Sequence, residues 1–247
     1  MENLRISTIT SVLHISELLD LQKIYDQVPI TNYIPFIEFG ENNPPRGFSK
    51  KLVTKKRKNK QRKIFFNQET IHIVHEGKIV NVKLFNNGRI QITGLKNIHH
   101  DKIIIHSFLD YLFDIDVIDK EIEIVKNELV LINSDFSLGF EINRNKLHRE
   151  IINSGVYSSF EPCIYPGVNI KYYVNTNNKN GICCCESKCD GKGRANGDGK
   201  CKKVTIAVFK SGKIIITGGQ SYDQIEKSYY FITNFINQRP DYFKIHH

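Results

Sequence analysis

Five of the six cysteines lie in one polar, glycine- and lysine-rich segment, residues 175–202. Thiolates spaced this closely can give Zn²⁺ the four sulfur ligands of a tetrahedral site, and such a polar loop has no core of its own to order it. The spacing differs from that of a standard zinc ribbon, so the alternative of a loop of free thiols stays open. The candidate ligands are Cys183, Cys184, Cys185, Cys189 and Cys201, and only Cys163 lies elsewhere. The clustering argues against a disulfide framework spread through the fold.

The second chemically distinctive stretch is strongly basic. Residues 50–63 contain nine lysines and arginines in fourteen positions and no acidic residue. Such a stretch cannot form core, so we expect it at the surface, as a solvated loop, a phosphate-binding arm or a nuclear-localisation signal. The whole chain is basic as well, with 35 Lys and Arg against 26 Asp and Glu and a net charge of +9. This balance favours a polyanionic partner, either nucleic acid or a membrane surface.

A catalytic metal centre is the main competing interpretation of the cysteines. It would need an open coordination position and a general base held on a rigid element. His72 and His75 are the candidates for that base, but residues three apart on a strand point to opposite faces. The sequence also lacks a glycine-rich phosphate-binding loop placed after a strand. We therefore predict a binding protein and not an enzyme.

These residues must be held by a folded scaffold, and the chain is long enough to supply one. Its 247 residues, 40% hydrophobic and 25% charged, are typical of one large globular domain or two small ones. No apolar run reaches the roughly 18–20 residues of a membrane span, and the start lacks the basic-then-apolar form of a signal peptide. We expect an intracellular protein, in the nucleus or the cytoplasm.

The chain repeats itself. The segment from Phe85 to Leu95 recurs as Phe209 to Gly219, with six of eleven positions identical and an offset of 124 residues. The same offset, within one residue, relates the segments that begin at Asp20 and Asn143. We interpret this as a tandem duplication, with repeats at about 1–124 and 125–247.

Each repeat is predicted to contain a strand, a helix, a run of strands and a longer helix. Residues 204–209 and 214–217 form two β-rich segments joined by a hairpin turn. Ser221 with Gln224 predicts the N-cap of the last helix, and Asn97 is the matching cap in the first repeat. Alternation puts Val204, Ile206, Val208, Ile214 and Ile216 against the helices, and Thr205, Ala207, Phe209, Lys213, Ile215 and Thr217 on the other face. The expected class is α+β, with an antiparallel sheet covered on one face.

The motif Phe-x-x-Gly-(Lys/Arg)-Ile-x-Ile-Thr-Gly in a duplicated β-α-β-β-β-β-α unit resembles the TATA-box-binding protein (TBP) family of general transcription factors. The likeness is strongest over residues 158–167 and 206–218, and extends to 19–23 and 78–96. The insertions at about 40–63 and 175–202 are similar to those of divergent members in large DNA viruses. The resemblance implies a saddle: one curved antiparallel sheet with helices on its convex face and DNA in its concavity. It also implies residence in the nucleus, a viral factory or the virion.

The resemblance further implies that aromatic side chains wedge into base steps of the minor groove and bend the duplex, the mechanism for which this family is the standard example. Tyr165 and Phe209 fall on the wedge positions of the second repeat, and Phe85 on one of the first. Phe66 is the favoured fourth wedge, with Phe65 and Phe48 as alternatives.

Hydroxyl and basic residues accompany the predicted wedges. Thr93 and Thr217 can reach minor-groove acceptors, since a short hydroxyl fits there. Arg89 and Lys213, at the hairpin rims, suit phosphate contacts, and Lys83 also falls on the open face.

Two departures from the family pattern affect its expected function. Thr8 and Leu131 replace the asparagines that read central base pairs in the family, with Thr10 and Asn133 two residues on. Of the family's two glutamates that contact transcription factor IIB, Glu161 remains and Cys163 replaces the other. We expect a transcription initiation factor that binds and kinks AT-rich DNA and recruits a transcription factor IIB-like protein and RNA polymerase. The alternative is a protein-interaction module that has lost specific DNA binding.

Overall fold

The structure, a computed structural model, describes residues 3–50, 66–175, 180–186, 189–193 and 199–246. The chain forms two compact units. The first-repeat unit is Ile9–Val130, and the second-repeat unit combines Met1–Thr8 with Leu131–His247. Residues 3–8 therefore belong to the same compact unit as the second half of the sequence.

The first-repeat unit follows the predicted order of elements, with one short strand added. Strand β1 (Arg5–Ile15) enters this unit at Ile9. It is followed by α1 (Leu21–Gln27), β2 (Phe36–Phe39), β3 (Arg46–Gly47), β4 (Gln68–His75), β5 (Lys78–Phe85), β6 (Arg89–Leu95) and α2 (His100–Asp114). Within the unit the strands are ordered β3-β2-β4-β5-β6-β1, and the pairs are antiparallel.

The second-repeat unit has the same order. Strand β7 (Ile124–Ser137) enters it at Leu131 and is followed by α3 (Arg144–Asn153), β8 (Tyr157–Ser159), β9 (Val168–Val174), β10 (Lys202–Val208), β11 (Lys213–Gly219), α4 (Tyr222–Asn237) and the short α5 (Pro240–Phe243). Its strands are ordered β7-β11-β10-β9-β8, again antiparallel. The predicted α+β class is confirmed.

In each unit the helices cover one sheet face. Helix α4 packs on β10 and β11, and α2 packs on β6. The side chains predicted to meet the helices are fully buried, namely Val204, Ile206, Val208, Ile214 and Ile216. Burial of this continuous aliphatic layer stabilises the unit. None of the helices in the described part of the chain combines the length and apolarity of a membrane span.

Helix capping explains why the segments that begin at Asp20 and Asn143 resemble each other. The Asp20 carboxylate accepts a hydrogen bond from the Lys23 backbone N–H at 3.0 Å, and the Asn143 side chain accepts one from Lys146 at 3.1 Å. Both residues are N-caps of the first helix of their repeat. Each satisfies a backbone donor that the helix itself leaves unpaired.

The two predicted caps of the longer helices have different outcomes. Ser221 is the N-cap of α4, and its hydroxyl accepts from the Gln224 backbone N–H at 3.3 Å. Asn97, however, does not cap α2, so that prediction was wrong. Helix α2 starts at His100, and the Asn97 side chain instead accepts from the His99 N–H at 3.0 Å, within the turn before the helix.

The hairpin glycines are fixed by close backbone contact. Gly88 and Gly212 have φ of 74° and 76°, a region that side-chain-bearing residues rarely adopt. A Cβ at Gly212 would lie 2.0 Å from the Phe140 carbonyl oxygen, and one at Gly88 would lie 3.1 Å from the Glu17 oxygen. The turn that ends each Phe-x-x-Gly motif therefore packs against the segment that follows the first strand of its own repeat.

Candidate nucleic-acid interface

The sheet face opposite the helices in the second-repeat unit, which we call the second open face, has a mixed polar and aromatic surface. Strand register defines it, because directly paired residues point to the same side. Thr217 pairs with Thr205 and Asn133, and Ile215 pairs with Ala207 and Asp135. In β9 the corresponding residues are Asn169 and Lys171, which pair with Ala207 and Thr205.

Tyr165 and Phe209 meet at one end of the second open face. Their ring centroids are 5.7 Å apart in an edge-to-face arrangement. Phe209 directly follows β10, and its N–H donates to the Lys213 carbonyl at 2.9 Å to close the hairpin. A Cβ at Gly167 would lie 2.9 Å from Tyr165 Cε1 and 3.2 Å from Phe209 Cε1. The glycine therefore leaves the space in which both rings pack, and 39% of Tyr165 remains exposed.

The corresponding surface of the first-repeat unit, the first open face, is more polar. Lys83 pairs with Thr70 and Gln91, and Asn81 pairs with His72 and Thr93. The Lys83 Nζ donates to Gln68 Oε1 at 3.3 Å. Lys83 thus lies on the open face, as predicted from the sequence, and its ammonium group is bound to a neighbouring side chain of that face.

Phe66 and Phe85 occupy the positions in the first repeat that Tyr165 and Phe209 occupy in the second. In the first repeat Phe85 pairs with Gln68, and Phe66 lies two residues before Gln68. In the second repeat the last pair of β9 and β10 is Val168 with Val208, so the next pair along the strands is Gly167 with Phe209. Tyr165 lies two residues before Gly167, as Phe66 does before Gln68. Phe66 is 73% exposed.

The other two candidates for the fourth wedge have different positions. Phe48 follows β3, is 63% exposed and does not precede β4 directly. Phe65 lies outside the described residues.

The two predicted threonines make equivalent hydrogen bonds. The Thr10 hydroxyl donates to Thr93 Oγ1 at 3.3 Å, and the Thr217 hydroxyl donates to Asn133 Oδ1. In the first strand of each repeat, the side chain that contacts the motif threonine is therefore Thr10 or Asn133. Each lies two residues after the position, Thr8 or Leu131, that replaces a family asparagine. Thr8 and Leu131 are half-buried. Leucine offers no hydrogen-bonding group at its position.

Of the two basic residues at the hairpin rims, Lys213 lies close to a carboxylate of the second open face. Arg89 and Lys213 are exposed first residues of β6 and β11. Lys213 Nζ lies 3.7 Å from Asp135 Oδ2, and Arg5 donates to both carboxylate oxygens of Asp135 at 3.0 Å. A hydrogen bond from the Ser7 hydroxyl, together with Arg5 and Lys213, lowers the pKa of Asp135 despite its partial burial. An ionised carboxylate on the second open face thus opposes two cations.

The sequence interpretation missed three residues of the second open face, namely Asp135, Asn169 and Lys171. Lys171 Nζ donates to Thr205 Oγ1 at 2.9 Å, and burial, followed by the charge of Lys203, lowers its pKa. Asn169 Oδ1 is buried and has no hydrogen-bond partner among the described residues. The rule that side chains alternate between faces, which was applied to β10 and β11, would have placed all three residues on the open face if applied to β7 and β9.

Four of the five clustered cysteines converge. The sulfurs of Cys183, Cys185, Cys189 and Cys201 all lie within 4.8 Å of one another. The structure does not bring Cys184 into this group of four, and metal binding by the cysteines stays a prediction.

The basic run at 50–63 falls almost entirely on residues that the structure does not describe, namely 51–63. Its place at the surface and its contact with phosphates stay predictions.

Known proteins resemble this chain in both sequence and fold. The sequence model of the family described as transcription factor TFIID (or TATA-binding protein, TBP) matches residues 128–239. A TATA-box-binding protein-like protein of Acanthamoeba polyphaga mimivirus is 28% identical over 256 aligned residues, which cover 96% of this chain and 65% of that protein. This chain therefore spans just under two thirds of the length of the viral relative.

The structural comparison shows a likeness in fold over the same share of the chain. Methanococcus jannaschii TBP matches with a TM-score of 0.58 and 16% identity, over 96% of this chain and 99% of that one. At this identity the match shows the fold. The family model, the viral relative and the archaeal structure therefore agree that this chain is similar to TATA-box-binding proteins, in sequence over residues 128–239 and in fold over most of its length.

Proposed function

We propose that this protein is a TBP-like transcription initiation factor that binds the minor groove of AT-rich DNA with both open faces and bends it. The observation that carries the proposal is the equivalent placement of two aromatic pairs, Phe66 with Phe85 and Tyr165 with Phe209, at the end of each open face. In the second pair the rings contact at 5.7 Å with Tyr165 39% exposed, so an apolar edge is available to a base step. Inserting such a wedge unstacks the step and bends the duplex, as the TBP family exemplifies.

Hydroxyl and amide groups next to the aromatic pairs fit the minor groove. In the proposal Thr93 and Thr217 face the acceptors of A·T pairs, and Thr10 and Asn133 position their hydroxyls. The asparagine positions of the family hold Thr8 and Leu131, so the preference for AT-rich DNA rests mainly on groove shape and deformability. The basic balance of the chain attracts it to DNA.

Partners and location follow from the family in the same way. The bound factor would recruit a transcription factor IIB-like protein and RNA polymerase, in the nucleus or in a viral factory. Glu161 lies on the exposed loop before Tyr165, where its carbonyl accepts from the Ile164 and Tyr165 N–H groups at 2.9 and 2.8 Å. The loop is thereby held in a defined turn beside the wedge. The proposed role is one of binding and not of catalysis.

Asp135 favours a second candidate function. A carboxylate on the second open face repels phosphates, and Leu131 lacks any hydrogen-bonding group. Both would suit a TBP-fold module that binds proteins and has lost specific DNA binding.

Binding and bending on labelled DNA distinguish the two functions. A short duplex with a TATA sequence and a GC-rich duplex of equal length, each with a donor and an acceptor dye at its ends, would be titrated across a salt series. We expect tighter binding and a larger rise in energy transfer on the TATA duplex. Equal binding to both duplexes without bending would mean that the protein binds DNA nonspecifically. No binding to either duplex would favour the protein-interaction module.

A further inference from the structure

We propose that Cys183, Cys185, Cys189 and Cys201 bind one structural Zn²⁺ ion, which fixes the insertion at 175–202 to the edge of the second-repeat unit. No part of the proposed DNA-binding function depends on this site. Its ligands come from two stretches of the insertion: three from 183–189, and Cys201 directly before β10.

The sulfur spacing matches a mononuclear tetrahedral site. Cys201 Sγ lies 3.6 Å from Cys185 Sγ and 3.7 Å from Cys183 Sγ, and all four sulfurs lie within 4.8 Å of one another. Zn–S bonds of about 2.3 Å in a regular tetrahedron place the sulfurs about 3.8 Å apart. A disulfide needs sulfurs about 2.05 Å apart, whereas an iron–sulfur cluster separates its thiolates by the width of the cluster. A single tetrahedral ion fits between the observed sulfurs.

The surrounding backbone supports thiolates at this point. The Gly199 N–H donates to Cys185 Sγ at 3.3 Å. A Cβ at Gly199 would lie 3.1 to 3.4 Å from the sulfurs of Cys185, Cys184 and Cys201, so the chain wraps closely around the cluster. Four thiolates and one Zn²⁺ leave a net charge of −2, and the sequence places one lysine on each side of Cys201, namely Lys200 and Lys202.

The cluster lies where the insertion joins the sheet. The Gly193 N–H donates to the Cys201 carbonyl at 2.9 Å, and the Lys203 N–H donates to the Gly191 carbonyl at 2.7 Å. The Tyr173 N–H donates to the Gly181 carbonyl at 2.9 Å, which ties the other side of the insertion to β9. These bonds hold the insertion at the ends of β9 and β10 that lie away from Tyr165 and Phe209.

The number of ligands argues for a structural role. A catalytic zinc keeps a coordination position for water, whereas a site with four cysteines is closed. Ordering a long loop costs conformational entropy, and metal binding offsets this cost because the site forms only in the folded chain.

Metal analysis of the full chain, purified under reducing conditions without chelator, tests the proposal. We expect about one zinc per chain in the wild type and less than a fifth of that in Cys189→Ser and Cys185→Ser. The matched controls Cys184→Ser and Cys163→Ser should keep about one zinc each, because neither residue belongs to the four ligands. Absence of zinc from the wild type, iron in its place, or zinc loss in Cys184→Ser but not in Cys189→Ser would overturn the proposal.

A spectroscopic measurement on the wild type covers the case in which the ligand variants fail to fold. Replacing the metal with Co²⁺ should give intense thiolate-to-metal charge-transfer bands and the visible bands of a tetrahedral site, with saturation at about one Co²⁺ per chain. Octahedral-type weak bands, or no saturable binding, would contradict the four-cysteine site.

Discussion

Replacing Asp135 with asparagine should strengthen the binding of this protein to DNA. Asp135 lies on the second open face, and its lowered pKa keeps it ionised at neutral pH. Its carboxylate engages Arg5 at 3.0 Å and Lys213 at 3.7 Å. Asparagine preserves the size of the side chain but removes the charge that holds both cations away from phosphates.

The size of the effect follows from the number of cations released. Each cation that neutralises a phosphate adds about 0.9 to the slope of log affinity against log salt. If Asp135→Asn frees Arg5 and Lys213, the slope should steepen by up to about 1.8, which adds about a 12-fold loss of affinity between roughly 50 and 200 mM salt. At the lower salt concentration the variant should bind more tightly than the wild type, because the carboxylate that repels phosphates is gone and both cations can contact them.

Fluorescence anisotropy on the TATA duplex across that salt range measures the slope, with circular dichroism to confirm that the variant is folded. The matched control is Asp223→Asn. Asp223 lies in the first turn of α4 and pairs with Lys227 at 2.8 Å, so the control makes the same change in net charge on the helix side of the sheet. We expect its slope to equal that of the wild type.

Two results would refute the reasoning about Asp135. An unchanged or shallower slope in folded Asp135→Asn would mean that Arg5 and Lys213 do not contact phosphates. An equal increase in both variants would mean that net charge, and not the open face, controls binding.

The remaining predictions concern the wedges and one buried acid. Phe85→Ala with Phe209→Ala should abolish the energy-transfer change on the TATA duplex while salt-sensitive association persists, because the apolar edges are lost and the cations remain; a wild-type bend in the double variant would remove these residues from the wedge positions. Glu69 is fully buried, neither of its carboxylate oxygens has a hydrogen-bond partner among the described residues, and burial raises its pKa from 4.5 to about 9. Since the folded state retains a proton that the unfolded state releases, this group should lower stability by about 1.4 kcal/mol per pH unit between about pH 5 and 9. Urea unfolding across that range should show the pH dependence reduced by this amount in Glu69→Gln, and parallel curves for the two proteins would show that Glu69 is ionised when folded.

Local patterns in the sequence account for most of the fold. The recurrence of the segment from Phe85 to Leu95 predicts the duplication, and alternation in β10 and β11 predicts which residues meet the helices. Both rest on short-range geometry, since side chains alternate along a strand whatever it pairs with. Asn97 shows where local reasoning fails: a suitable capping residue lay two positions before the actual cap, His99, and took part in the preceding turn.

Pairing between distant segments accounts for what the sequence could not predict. Asp135 lies on β7 and Lys213 on β11, and only the antiparallel register of these strands brings the carboxylate and the ammonium group together. The choice of Cys201 and not Cys184 as the fourth thiol likewise depends on how the insertion folds back on β10.

The sequence by itself therefore determined the two repeats, the α+β class and the polar and apolar faces of the strands, because these follow from periodicity along the chain. The tertiary structure alone decided which cations face a carboxylate and which four thiols converge. These depend on strand register and loop closure, which juxtapose residues that are far apart in the chain and leave no local signal.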